Sequence, residues 1–189
     1  MRISEHTLRK ATAGDVDAQC IVADRLMRST ELNDGYARAR PWLRRAAAQG
    51  SAWAEYHLGL IYDHGLAGRR DRRRARMWYE RSAAKGYDSA QLNLGIVLAN
   101  LLGRRRDLNR AVELYRAAAK QGNRNAMYNL GLYYAEGRGV RRDARTARVW
   151  LEHALRLGVR DARRLLRQLG APKRSFGADR RLAYARRGR

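Results

Sequence analysis

Glycine stands at positions 14, 50, 86, 122 and 158, at a constant interval of 36 residues, and the segments between these glycines resemble one another position by position. The same frame aligns Ala18, Ala54, Ala90, Ala126 and Ala162. It also aligns Val22, Leu58, Leu94 and Leu130; Ala39, Ala75, Ala111 and Ala147; and Trp42, Trp78, Leu114 and Trp150. A fixed period of this size restricts a chain to stacked or radial repeats, because each unit is one supersecondary element whose apolar face only its neighbours can bury. The units are 15–50, 51–86, 87–122 and 123–158.

Within 51–86, Ala54, Leu58, Gly59 and Tyr62 fall on one face of a helix expected over 53–64. The glycine on that face lets a neighbour approach closely. An arginine- and glycine-rich loop follows, then Asp71, with Asp107 and Asp143 at the same register. Each is expected to cap a second helix by accepting from its free amides. That helix presents Ala75, Trp78, Tyr79 and Ala83 to the core, and the boundary glycine ends it in a left-handed conformation. In the first unit Pro41 falls inside the second helix, where it removes a donor and crowds the preceding turn, so that helix is expected to start near Arg40 or to kink.

The fold expected is all-α: an α/α superhelical solenoid of about four 36-residue helix-turn-helix repeats with half-repeat caps. Residues 1–14 read as an N-terminal capping helix. Residues 159–170, with Ala162, Leu165, Leu166 and Leu169 before Gly170 and Pro172, read as a C-terminal one. Residues 171–189 hold no repeat and read as a basic tail, flexible or weakly helical.

The strings AEYHLGLIYDHGLAGRRDRRRARMWYERSAAKG (54–86) and AMYNLGLYYAEGRGVRRDARTARVWLEHALRLG (126–158) resemble SEL-one-like repeats, a branch of the tetratricopeptide-type helical repeats. The shared elements are the alanine, the Leu-Gly pair, the tyrosine after it, Gly-x-Gly-Val before Asp, the Trp-Tyr region, and the paired alanines with their closing glycine. Repeat three keeps Leu94, Gly95, Asp107, Ala111 and Tyr115 but has NLLGRRRD for its loop. Repeat one has Ala23 for the glycine, Leu26 for the tyrosine and Gly35 for the aspartate.

The resemblance implies a non-enzymatic scaffold or adaptor of the kind found in bacterial signalling, secretion, host contact and toxin neutralisation, with a partner held on a concave face lined by first helices. Carried onto this chain, those positions are Trp53, Tyr56, Leu60, Asp63 and His64; Leu92, Ile96 and Asn100; and Tyr128, Leu132 and Glu136. Exposed aromatic and apolar side chains mark interaction sites. Tyr56 and Tyr128 are themselves part of the motif, so packing between repeats is the competing account of both. Trp53 and His64 depart from the motif and are the stronger partner candidates.

The formal charge of +23 adds a second reading. Arginines concentrate in the loops, at Arg69 and Arg70, Arg104 to Arg106, and Arg141 and Arg142, so stacking would align them as a ladder. An arginine ladder suits carboxylate or phosphate, which makes an acidic protein or peptide the expected partner and RNA or DNA the less favoured alternative. In that alternative Arg69, Arg70, Arg105, Arg106, Arg141 and Arg142 do the binding. The competing account is a solvated edge in an arginine-biased protein, since only four of the 41 basic residues are lysine.

Several functions find no support. No run reaches the roughly 18 apolar residues of a membrane span. The opening MRISEHTLRKATAGD lacks an apolar signal region, so a cytoplasmic protein is expected. Cys20 alone forms no intramolecular disulfide and reads as a small, partly buried residue. His57 and His64 gather no metal set, GRGVRRD lacks the Lys-Ser/Thr of a phosphate loop, and neither a cofactor nor catalysis is expected.

Overall fold

The computed structural model describes residues 3–29, 34–101 and 105–170. Arg104, the expected tail at 171–189, and the side chains of Arg105 and Arg106 lie outside the described residues. Among the described residues the chain forms ten helices and no strand: α1 (Glu5–Thr12), α2 (Val16–Met27), α3 (Gly35–Ala48), α4 (Ala52–His64), α5 (Arg72–Ala84), α6 (Asp88–Leu101), α7 (Arg105–Lys120), α8 (Arg124–Glu136), α9 (Ala144–Arg156) and α10 (Ala162–Gln168). Each helix packs chiefly on the one before and the one after it, so the pairs α2–α3, α4–α5, α6–α7 and α8–α9 form a solenoid of four hairpins. Helix α1 packs on α2 at one end of the stack and α10 on α9 at the other.

Local chemistry sets most of the helix ends. The boundary glycines Gly14, Gly50, Gly86, Gly122 and Gly158 all have positive φ, between 85° and 103°, where a side chain would be strained. The next helix is capped directly afterwards: Asp15, Ser51 and Asn123 accept from the amides of Ala18, Ala54 and Ala126. Asp71 and Asp143 cap α5 and α9 as expected. Asp107 does not cap α7, which starts two residues earlier at Arg105 and leaves the aspartate in its first turn, where it still complements the helix dipole.

Of the two outcomes expected for α3, a start near Arg40 does not occur: the helix begins at Gly35 and contains Pro41. The carbonyl that Pro41 leaves without a donor belongs to Ala37. Both residues are exposed, so water can serve it. Gly35 is required there for a separate reason: a Cβ would meet the Leu26 carbonyl.

The core is a succession of small clusters along the stack, and the first helices feed two at once. In α6, Leu94 and Leu98 join Tyr79 and Ala83 on one side, while Leu92 and Ala99 join Tyr115 and Leu130 on the other. Within each regular hairpin one contact sets the separation of the two helices. A Cβ on Gly59 or Gly95 would lie 2.5 Å from the ring of Tyr79 or Tyr115, and one on Gly131 would lie 2.6 Å from Leu151. Those three partners are among the most buried large side chains in the protein.

A second buried slot recurs with changing chemistry. Gln19, Glu55, Gln91 and Met127 share one register, and all are buried. Gln49 donates to Gln19 at 3.1 Å, and Gln121 donates to Gln91 at 3.0 Å. In the second hairpin the same slot is ionic. Arg81 Nε donates to Glu55 Oε1 at 2.9 Å, and Lys85 Nζ lies 2.8 Å from Oε2. That second approach is an ion pair outside hydrogen-bond geometry, so Oε2 has Coulomb compensation without a directed bond.

Two stability experiments test this packing. Gly95→Ala should gain up to about 1 kcal/mol from helix propensity and lose about 1–3 kcal/mol from overpacking, for a net fall in urea midpoint. In a Tyr115→Val background, where the ring is gone, the same change should become neutral or stabilising. An unchanged sign in both backgrounds would refute the contact. Arg81→Gln with Lys85→Gln should cost up to about 3–5 kcal/mol by stranding the Glu55 carboxylate. Adding Glu55→Gln, which reproduces the neighbouring Gln–Gln slots, should recover most of that loss.

Candidate partner-binding surface

The first helices leave a stripe open to solvent whose positions repeat with the 36-residue frame. Asp24, Leu60, Ile96 and Leu132 share one register; Arg28, His64, Asn100 and Glu136 share the next along the helix. Of the positions expected from sequence, His64, Ile96, Asn100 and Glu136 are exposed, and Trp53, Tyr56, Leu60, Asp63, Tyr128 and Leu132 are half-buried. Leu92 is a correction. At 8% exposure it belongs to the core shared by the third and fourth hairpins, because α6 is covered on both sides.

Tyr56 is spent mainly on packing. Its ring centroid lies 5.1 Å from that of Tyr87 and 6.1 Å from that of Tyr79, which ties one repeat to the next. Tyr128 and Leu132 pack against the last core cluster. Trp53 is turned along its own helix, with its ring centroid 4.1 Å from that of His57.

Where α2 meets α4 the stripe deepens into a groove of about 400 Å³. Leu60 and His64, both expected, line it. Asp24, Arg28, Met27 and Tyr36 from the first hairpin line it as well, as do His57 and Leu66. Its walls are aliphatic and aromatic. Its charged rim is the Asp24–Arg28 pair, with Arg28 Nε 2.8 Å from Asp24 Oδ1.

The loop arginines behave unequally. Arg69 and Arg141 are exposed. Arg70 pairs with Asp63 at 3.1 Å, and Arg142 donates to the Ala135 carbonyl at 3.0 Å, so these two close their own loops. The rung between them falls on Arg105 and Arg106, outside the described side chains.

The model of the Sel1 repeat matches four times, over residues 16–51, 54–87, 88–123 and 124–159. The chain belongs to the Sel1 repeat family. Among solved structures, a Sel1 repeat protein from Oxalobacter formigenes is similar at a TM-score of 0.77 and 29% identity, over 89% of this chain and 69% of that one. A protective antigen of uropathogenic Escherichia coli with an SLR fold gives 0.53 at 26% identity, over 86% of this chain and 43% of that one, so the present chain spans less than half of its length. Helicobacter pylori cysteine rich protein B gives 0.54 at 18% identity, over 74% of this chain and 99% of that one, a likeness of fold. A search of curated proteins found no match.

Sel1 repeats are in general protein-interaction scaffolds, built on a non-catalytic fold. Among the described residues of this Sel1 repeat protein no set of His, Cys, Asp and Glu could hold a metal ion, and no helix is long and apolar enough to cross a membrane. The Cys20 thiol is pushed up by burial and lies 3.4 Å from the Ser51 hydroxyl. The groove residues missed from sequence were Asp24, Met27, Arg28, Tyr36, His57 and Leu66. The frame that aligns Leu60 with Asp24 and His64 with Arg28 already pointed to two of them.

His57 ties the groove to stability. Burial lowers its pKa from 6.5 to about 4; Asp24 opposes that shift and Arg28 adds to it. The unfolded chain takes up this proton near pH 6.5, whereas the folded chain resists until about pH 4. Stability present above pH 6.5 is therefore lost as pH falls toward 4, by at most about 3 kcal/mol. His57→Phe, which keeps a ring beside Trp53, should flatten the melting temperature between pH 7 and pH 4.5 relative to the parent. A parent and variant with parallel pH profiles would show that His57 is not buried neutral.

Proposed function

We propose that this chain is an adaptor that holds a protein or peptide partner on its first-helix face, with an apolar side chain of the partner seated in the groove between α2 and α4. The observation that carries the reading is the groove itself: an apolar recess lined by Met27, Tyr36, Leu60 and Leu66, with a neutralised ion pair at its rim. Anchoring one apolar or aromatic side chain in a desolvated pocket is how interfaces gather most of their binding energy. Trp53, His64, Ile96 and Asn100 extend the contact surface along the stack, with Tyr128, Leu132 and Glu136 at its far end.

An acidic partner fits this reading through the field of the whole molecule rather than through the groove. The formal charge of +23 accelerates encounter with an anionic protein, while the groove selects the anchor. The adaptor belongs, on this reading, to a cytoplasmic signalling, secretion or toxin-neutralising complex. Nucleic-acid binding through the loop arginines is the competing account, and it is weakened by the commitment of Arg70 and Arg142 to intramolecular partners.

The test is affinity capture from nuclease-treated lysate with three forms: the parent, Leu60→Glu with Trp53→Ala, and Arg69→Gln with Arg141→Gln. A stoichiometric protein held by the parent and the arginine variant, but reduced at least tenfold on the groove variant, is the expected outcome. A partner lost only with the arginine variant would overturn the assignment.

A further inference from the structure

The loop joining α4 to α5 has Leu66, Ala67 and Gly68 where its counterpart between α8 and α9 has Arg138, Gly139 and Val140. Val140 packs against the core of the last repeats. Gly68, at the same register, has nothing within 4 Å of where a side chain would begin. The second repeat has a cleft here of about 680 Å³ floored by Ile61, Tyr62 and Ala67; the fourth repeat's, which Val140 lines, is about 550 Å³. Its walls carry Arg40 from the preceding repeat and Arg69, Arg70, Arg72, Arg73 and Arg74 from its own loop and helix.

Part of this set is fixed in place. Arg40 donates to the Ala67 carbonyl at 3.2 Å. The Arg74 guanidinium lies 5.5 Å from the Tyr62 ring centroid, and the Tyr62 hydroxyl accepts from Arg44 at 3.1 Å. One acid, Asp71, lines the cleft, and it is already engaged by the amide and the guanidinium of Arg74. The Asp71 carboxylate is therefore spent within the chain, and the capacity for an anion is that of the arginines. Arg69, Arg72 and Arg73 are exposed and have no acidic or hydrogen-bonding partner among the described residues.

Asp63 pairs with Arg70 and Asp71 with Arg74; the guanidinium groups left without a carboxylate, those of Arg40, Arg69, Arg72 and Arg73, repel one another, and a multivalent anion relieves that repulsion. Phosphoryl oxygens match the guanidinium fork in bidentate fashion. The corresponding cleft at the fourth repeat has only Arg138 and Arg141 among its linings, so of the two described clefts the one in the second repeat carries the denser positive charge.

We infer that this cleft binds a compact oligophosphate, a chain of two or three phosphoryl groups gripped by Arg69, Arg72 and Arg73 against the wall formed by Arg40 and Arg74. Such a site is independent of the first-helix groove and gives the adaptor a small-molecule input.

The experiment is isothermal titration of the full chain with inorganic tripolyphosphate at low salt, alongside orthophosphate, a hexaglutamate peptide and a single-stranded oligonucleotide. One site per chain is expected. Affinity should fall about tenfold or more in Arg72→Gln with Arg73→Gln, and in Arg69→Gln alone to a lesser degree. It should be unchanged in Arg160→Gln with Arg163→Gln, two exposed arginines outside the cleft. Tripolyphosphate should also raise the melting temperature of the parent but not that of the Arg72/Arg73 variant. Absence of binding, equal loss in the two double variants, or equal affinity for orthophosphate or hexaglutamate would overturn the site. An oligonucleotide that tripolyphosphate fails to displace, and that binds both double variants alike, would overturn it as well.

Discussion

In each regular hairpin a glycine of the first helix lies against the side chain that fills the centre of the second: Gly59 on Tyr79, Gly95 on Tyr115, Gly131 on Leu151. Because no Cβ fits in those gaps, the two helices approach to a separation set by the ring or branched side chain itself. The same contact sets their register, and hence which residues of the first helix remain outside the core. Interiors packed at crystal-like density transmit such a constraint rather than absorb it. The row formed by Asp24, Leu60, Ile96 and Leu132 is a downstream consequence. Ala23 in the first hairpin stands where the others have glycine, in a core completed by Leu43 rather than tyrosine.

Charge and groove are separated for a related reason. A first helix is covered by its own second helix and by the next repeat, so only a narrow stripe is left, and in this protein that stripe sets Leu60, Ile96 and Leu132 beside His64, Asn100, Glu136 and the Asp24–Arg28 pair. Second helices and loops keep a broader face in water, and there the arginines sit. Some set their guanidinium over half-buried indoles: that of Arg45 lies 5.0 Å from the Trp42 ring centroid, and that of Arg81 lies 5.0 Å from Trp78. High net charge therefore coexists with a near-neutral groove, and the two surfaces suit different ligands.

The repeats are alike in geometry more than in chemistry. One slot holds Gln19 with Gln49, Glu55 with both Arg81 and Lys85, and Gln91 with Gln121; at the fourth repeat the buried position is Met127. Between repeats, Arg44 reaches the Tyr62 hydroxyl and Arg116 reaches that of Tyr134, while the equivalent position in the second repeat is Glu80, bonded instead to Arg76. Each slot demands local satisfaction of its polar groups and tolerates any pair that supplies it. This freedom lets single repeats diverge, as Gly68 does, without disturbing the stack.

The sequence alone determined the period, the helical hairpin, the boundary glycines with positive φ, the caps at Asp71 and Asp143, and nearly all of the core, because each follows from interactions within a few residues of the chain. Tertiary structure decided what depends on distances between helices. It started α3 six residues ahead of Pro41, buried Leu92, placed the Glu55 carboxylate in the interior beside two cations, and brought Asp24, Met27 and Tyr36 to the same groove as Leu60 and His64. The start of α3 and the Glu55 ion pairs are settled where the two helices of one hairpin meet. The burial of Leu92 and the groove arise when one hairpin is laid on the next, and the faces left uncovered are those that neither neighbour reaches.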